Sequence, residues 1–256
     1  MKHMKFLLIL TVLFISYFLY NSDSTSEEVK IVNIKPDKVI QNKHLKTNSR
    51  KNTNSKKKDL QFSDSELFAK LQPPSNAELN DAWLDEYGCY NKGECKYYYL
   101  NAKFYEEARW MRDNGYPTRS MMELVNNPTY KEQLDEMARK KYPAALAIAS
   151  ISAMERGDFV EASNLALSNV AYSDTSQTYP HLLYGEALLA NDMRPLAVPQ
   201  FYIAGLLGDS LSEGRASALS PDVYFSTVAL NSAHRYLGKI FGNAVPNNPR
   251  PKGDGE

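Results

Sequence analysis

The 256-residue sequence predicts an all-α domain built of helical hairpins stacked in a short solenoid. Three observations predict it. Apolar residues recur every three to four positions over most of residues 61–242, the spacing of one helix face. No segment of strand length alternates apolar and polar residues with period two. Two tight turns, Gly157-Asp158 and Asn191-Asp192, lie 34 residues apart within Tyr142 to Asp209, close to the period of helix–turn–helix repeats. Such units cannot bury their apolar faces alone and must stack on neighbours.

Residues 1–20 read as a signal-anchor or a signal peptide. Lys2 and Lys5 precede an apolar run from Phe6 to Tyr20 broken only by Thr11 and Ser16. At 15 residues the run is shorter than the ~20 of an ordinary membrane span, which favours a cleaved signal. No Ala-x-Ala site follows it, and Ser22 and Ser24 are a weak small pair, which favours an uncleaved anchor. The lack of a nearby Cys excludes a bacterial lipoprotein. Either way Lys2 and Lys5 stay in the cytoplasm and the rest is exported.

Residues 21–60 read as a polar basic linker. Asn42 to Lys58 holds Leu45 as its one large apolar residue and cannot bury enough surface to offset chain entropy. Val29 to Ile40 carries β-branched residues but is interrupted by Pro36. Lys56-Lys57-Lys58 is either a solvated linker or a contact to anionic lipid or wall polymer. Residues 1–60 carry 12 Lys/Arg against 5 Asp/Glu, leaving 18 against 25 for the remainder. The net charge of zero therefore hides a mildly acidic domain, and an acidic domain argues against nucleic acid as partner.

Helix starts in residues 61–242 carry capping signals. Ser63 to Glu66, Ser75 to Glu78 and Thr129 to Glu132 fit the capping box, and Asp158 to Glu161 offers an Asp version. Ser220-Pro221 places Pro at a first helical position. Stops fall at Gly88, Gly115, Gly157 and Gly242. Leu146, Ala149 and Ala153 share a face, as do Phe159, Ala162, Ala166 and Val170. Leu183, Ala187 and Ala190 follow the same rule, then Ala197, Phe201 and Ala204, and last Phe225, Ala229, Ala233, Tyr236 and Ile240. Pro199 predicts a kink or a late start near Leu196. Residues 209–219 read as a Ser/Gly-containing loop, and 243–256 as a disordered tail.

Cys89 and Cys95 flank a turn with Asn91 and Gly93. In an exported chain such a pair reads as a structural disulfide, worth about 2 kcal/mol for so short a loop. Zinc would need four ligands, and His3, His44, His181 and His234 are scattered. A redox pair would want two intervening residues where there are five.

The stretch Asp192 to Asp209 resembles the second helix of a tetratricopeptide-like repeat of the Sel type, with Asp192, Ala197, Phe201-Tyr202, Ala204 and Gly208-Asp209 in the matching places. The first hairpin keeps Gly157-Asp158, Ala162 and Ala166 but lacks the aromatic pair and the closing Gly. Trp110 to Arg119 resembles a stretch of uncharacterised exported bacterial repeat proteins. The likeness covers residues 110–209. It implies a scaffold fold and carries over no catalytic residue.

No catalytic, metal or cofactor signature stands out. Glu106-Glu107 and Asp135-Glu136 are adjacent on a helix and diverge. There is no Gly-rich phosphate loop, no Gly-x-Ser-x-Gly and no His-Glu-x-x-His. Tyr97, Tyr98, Tyr99, Tyr105 and Trp110 read as packing residues before sugar-stacking ones. The expectation is a non-enzymatic interaction scaffold. It would sit at the bacterial inner membrane facing the periplasm, or in the periplasm if the signal is cleaved, holding an unidentified envelope protein. Helix Pro180–Asn191 would line its groove, with Tyr184 and Glu186 as contacts. The alternatives are an envelope enzyme acting on cell-wall glycan or peptide, and a purely structural helix stack without a groove.

Overall fold

The computed structural model describes residues 64–88, 101–220 and 222–253. Residues 1–63, 89–100, 221 and 254–256 lie outside the described residues. The leader, the linker and the Cys89–Cys95 pair fall there. The described chain is all-α, with one isolated bridge between Gly88 and Ala102 as its extended pairing. No described helix is long and apolar enough to cross a membrane.

Eleven helices are described: α1 Asp64–Lys70, α2 Asn76–Glu86, α3 Tyr105–Asp113, α4 Arg119–Met122, α5 Lys131–Arg139, α6 Pro143–Glu155, α7 Phe159–Tyr172, α8 Tyr179–Ala190, α9 Arg194–Leu206, α10 Ser210–Leu219 and α11 Val223–Phe241. Sequential neighbours pack: α2 on α3, α5 on α6, α6 on α7, α7 on α8, α8 on α9 and α9 on α10. In addition α9 packs on α11, α6 on α8 and α1 on α5.

Local chemistry sets the boundaries. Ser75 caps α2 with a full capping box, its Oγ accepting from the Glu78 amide while Glu78 accepts from the Ser75 amide. Asp158 caps α7 by accepting from the Glu161 amide at 3.0 Å. The Thr129 box does not form: α5 starts from Tyr130 with no side-chain cap, and the Thr129 amide donates to Asn127 Oδ1 instead. Asp222 caps α11, accepting from Phe225 N, in place of Ser220.

Helix ends repeat one device. At Gly115, Lys141, Gly157, Asp192 and Gly208 the backbone takes positive φ. Each residue's amide bonds the carbonyl three positions back, and the next amide bonds the carbonyl five positions back, as with Gly157 to Met154 and Asp158 to Ala153. This satisfies carbonyls that a helix end leaves bare. Lys141 and Asp192 lack the usual glycine, so composition gives no stop signal at Lys141 and only a turn dipeptide at Asp192.

The core follows the predicted stripes in part: Phe159 and Ala190 are exposed, as are Tyr236 and Ile240, and in α11 Leu237 is buried instead of these last two because it continues the face of Ala229 and Ala233. From Ala145 to Ala153 every residue of α6 is buried, so the helix is enclosed on all sides and its Leu146–Ala149–Ala153 face is one of several. In α8, Gly185 faces Phe201 of α9 so closely that a Cβ would lie 2.7 Å from the ring. Pro199 does not end or delay α9, which runs from Arg194 to Leu206. Only the bond to Pro195 is forgone there, early in the helix and amid close packing.

Two expectations differ from the fold. The span 209–219 is not a loop: Ser210–Leu219 is helix α10, with Asp209 at its N-cap and Ser212 and Ala216 turned inward. The segment 243–253, read from composition as a disordered tail, is tied down at 248–250. Asn248 N donates to Leu207 O at 3.2 Å, Arg250 N donates to Gly208 O at 2.8 Å, and Trp110 Nε1 donates to Asn248 O at 2.7 Å. Gly208, at φ 125°, lets this strap lie down, since a Cβ there would stand 2.0 Å from Asn248 O. Gly208→Ala should therefore lift the strap and strain the turn. The expected loss is about 2 kcal/mol or more in urea denaturation, with helix content retained.

Candidate functional site

A surface depression among the described residues lies where α5, α6 and α7 meet the loop after α4. It is an open groove of about 610 Å³. Leu134 and Ala138 of α5, Ala149 of α6 and Leu165 of α7 supply apolar lining. The loop is pinned by Asn126 at φ 58°, whose amide donates to Ser152 Oγ and whose Nδ2 donates to Glu155. Charges rim the groove in pairs: Lys131 with Asp135 at 2.7 Å and Arg156 with Glu161 at 3.2 Å. Lys141 Nζ stands 5.7 Å from the Tyr172 ring centre. Exposed pairs of this kind contribute ~0–1 kcal/mol, so they can re-pair with an incoming surface at little cost. Among the described residues no cluster of three His, Cys, Asp or Glu could hold a metal.

Tyr184 and Glu186 are the α8 residues expected to contact a partner. Neither Tyr184 nor Glu186 lines the α5–α7 groove. Tyr184 is half-buried against the core, and burial raises its phenol pKa. Glu186 is committed to Arg215 of α10 at 2.6 Å, and Arg215 in turn lies 5.3 Å from the Phe201 ring centre. Burial raises the Glu186 pKa, with Arg215 opposing. The pair ties α8 to α10.

His181 also has packing partners. Its Nδ1 lies 2.9 Å from Gln200 Oε1, and its ring meets Tyr236 edge-on at 5.4 Å. Burial lowers its pKa below the ordinary 6.5, with the Gln200 hydrogen bond opposing. Trp110 and Tyr105 pack on the core as expected of helix-spaced aromatics. Glu106 and Glu107 do diverge: Glu106 is exposed, while Glu107 is buried.

Glu107 leads to a constellation that the sequence did not announce. Arg250 of the strap is 5% exposed, and its Nε donates to Glu107 Oε1 at 2.7 Å. Its Nη1 lies 3.4 Å from Asp209 Oδ1, and Asp209 is 0% exposed. The guanidinium also lies 5.3 Å from the Trp110 ring centre and 5.6 Å from that of Tyr116. Each carboxylate is held by further donors. Lys103 N donates to Glu107 at 2.6 Å, Tyr116 Oη donates to Asp209 at 2.9 Å, and Ser212 Oγ donates to Asp209. Burial and the neighbouring Asp209 push the Tyr116 phenol well up, which keeps it a donor. Nothing in local sequence pairs an Arg between two prolines with carboxylates 41 and 143 residues away.

Two outcomes separate these pairs. Asp209→Ala leaves Arg250, Tyr116 and Ser212 short of a buried acceptor and should cost about 3–5 kcal/mol in denaturant unfolding. Glu186→Gln should change stability by no more than about 0.5 kcal/mol, since burial already disfavours the charge it removes. His181 sets an acid-side limit. Its depressed folded pKa gives a contribution present above pH 6.5 and lost as pH falls through the folded value. The unfolding midpoint, followed from pH 8 to pH 5, should drop below pH 6.5, and His181→Gln should flatten that drop.

Comparison with protein-family models, with curated proteins and with solved structures finds no match to this chain.

Proposed function

We propose that the described domain is a short tetratricopeptide-like solenoid acting as a protein-binding scaffold in the bacterial cell envelope. In this reading the N-terminal apolar segment carries it across the cytoplasmic membrane and, uncleaved, tethers it there through the polar linker. The observation that carries the reading is the α5–α7 groove. Its volume of about 610 Å³, apolar lining and loosely paired rim charges suit a helix or extended segment of another protein. Hairpins closed by Gly157 and Asp192 support the repeat assignment, as does the burial of Ala162, Ala166, Ala197 and Ala204 at the packing positions of the resemblance.

The groove moves the contact surface from α8 to α5–α7. Leu165, half-buried in the groove, takes the place of Tyr184 and Glu186 as the residue a partner meets. The enzymatic alternative has less support. Asp135 and Glu161, the groove's carboxylates, are each ion-paired and exposed, so neither is set up as a buried acid or base.

A photo-crosslinking residue at 165 tests the reading in intact cells. It should give a discrete protein adduct, and one at Leu167 on the opposite face of α7 should not. Leu165→Arg in the full chain should lower recovery of that partner at least tenfold while the melting temperature stays within a few degrees. The same adduct from both positions, or none from either, would remove the groove from the account.

A further inference from the structure

The strap's arginine sits in surroundings shaped like a receptor for it. The pocket walls come from α3, the loop after it and the α9–α10 turn, none of which is part of the strap. Glu107, Trp110, Tyr116 and Asp209 supply two carboxylates and two ring faces around one guanidinium. Each carboxylate is oriented by donors outside the strap, namely Lys103 N for Glu107 and Tyr116 and Ser212 for Asp209. The strap contributes what an extended peptide contributes in a groove. It offers amides at Asn248 and Arg250, a carbonyl at Asn248 to an indole N–H, and one anchoring side chain. Its sequence, Asn248-Pro249-Arg250-Pro251, favours an extended backbone with low ordering entropy. A core built only for stability gains as much from apolar residues of similar volume as from a buried ion pair.

We propose that this pocket is a recognition site for a proline-flanked arginine in an extended peptide, and that the C-terminal strap is its ligand in cis. The site goes beyond the groove reading and does not depend on it, because the two use different surfaces. The cis strap is present at an effective concentration in the mM range, so a competing peptide must bind well or arrive when the strap is lifted.

The test uses the full chain carrying Arg250→Ala and a synthetic peptide spanning residues 246–252, with binding read by Trp110 fluorescence and calorimetry. The variant should stay helical and bind the peptide saturably, while the unaltered chain binds it at least tenfold more weakly. A peptide with Lys in place of Arg should also bind at least tenfold more weakly, since the fork and the ring stacking are lost. A helical variant that binds no peptide would overturn the proposal, as would equal binding to both chains or indifference between Arg and Lys. A second variant meets the case in which Arg250→Ala does not fold. It carries a protease site within residues 243–245, is cut after folding, and is challenged with labelled peptide. Exchange of the cut strap for the Arg peptide, and not for the Lys one, supports the pocket. Loss of helical signal on cutting, or no Arg preference, overturns it.

Discussion

A guanidinium with almost no access to water fixes how α3, the α9–α10 turn and the strap meet. Removing such a charge from solvent costs several kcal/mol unless its donors find acceptors. Arg250 finds them in Glu107 of α3 and in Asp209 at the head of α10, with the Trp110 and Tyr116 ring centres 5.3 and 5.6 Å from the guanidinium. The consequences spread along the chain. Asp209 opens α10 while also accepting from Tyr116 and Ser212, so one carboxylate serves a helix start, a loop and the strap. Gly208 must be bare for the strap to reach its bonds, which links a backbone conformation to an ion pair two residues further along the strap.

Against that polar closure, the middle of the domain is held by close apolar packing. Its α6 is buried from Ala145 to Ala153, α8 and α9 approach at Gly185, and small residues sit at buried positions of α7, α9 and α11. Alanine at these contacts brings axes near, so the energy comes from many dispersion contacts spread over the interface. Ion pairs within this region, such as Arg215 with Glu186, lie toward the surface and orient helices more than they hold them.

Much of this was legible from residue spacing. The helical class, the hairpin turns at Gly157 and Asp192 and the caps at Ser75 and Asp158 follow from local chemistry acting over four or five residues. What spacing missed has a common cause. The loop expected at 209–219 is helical because Ser212 and Ala216 face a neighbour, and serine's weak propensity yields to that packing. The tail holds because of partners 41 and 143 residues away. The pairing of Glu186 with Arg215, 29 residues on, is also non-local. The groove is likewise a product of three helices and a pinned loop, and no one of them carries its signature.

The strap gives the chain a sense of order in time. Hairpins such as α6–α7 and α8–α9 close over a few residues and can form in microseconds. The Trp110 bond to Asn248 and the Glu107 bond to Arg250 span 138 and 143 residues, and their loop entropy is recovered only once the intervening helices have compacted. Docking of the arginine is then the closing event of folding. The loop after α3 keeps its own bonds to α8 and to Asp209, through Tyr179 N to Asn114 O and Tyr116 Oη to Asp209, so the helical array does not rest on the strap alone.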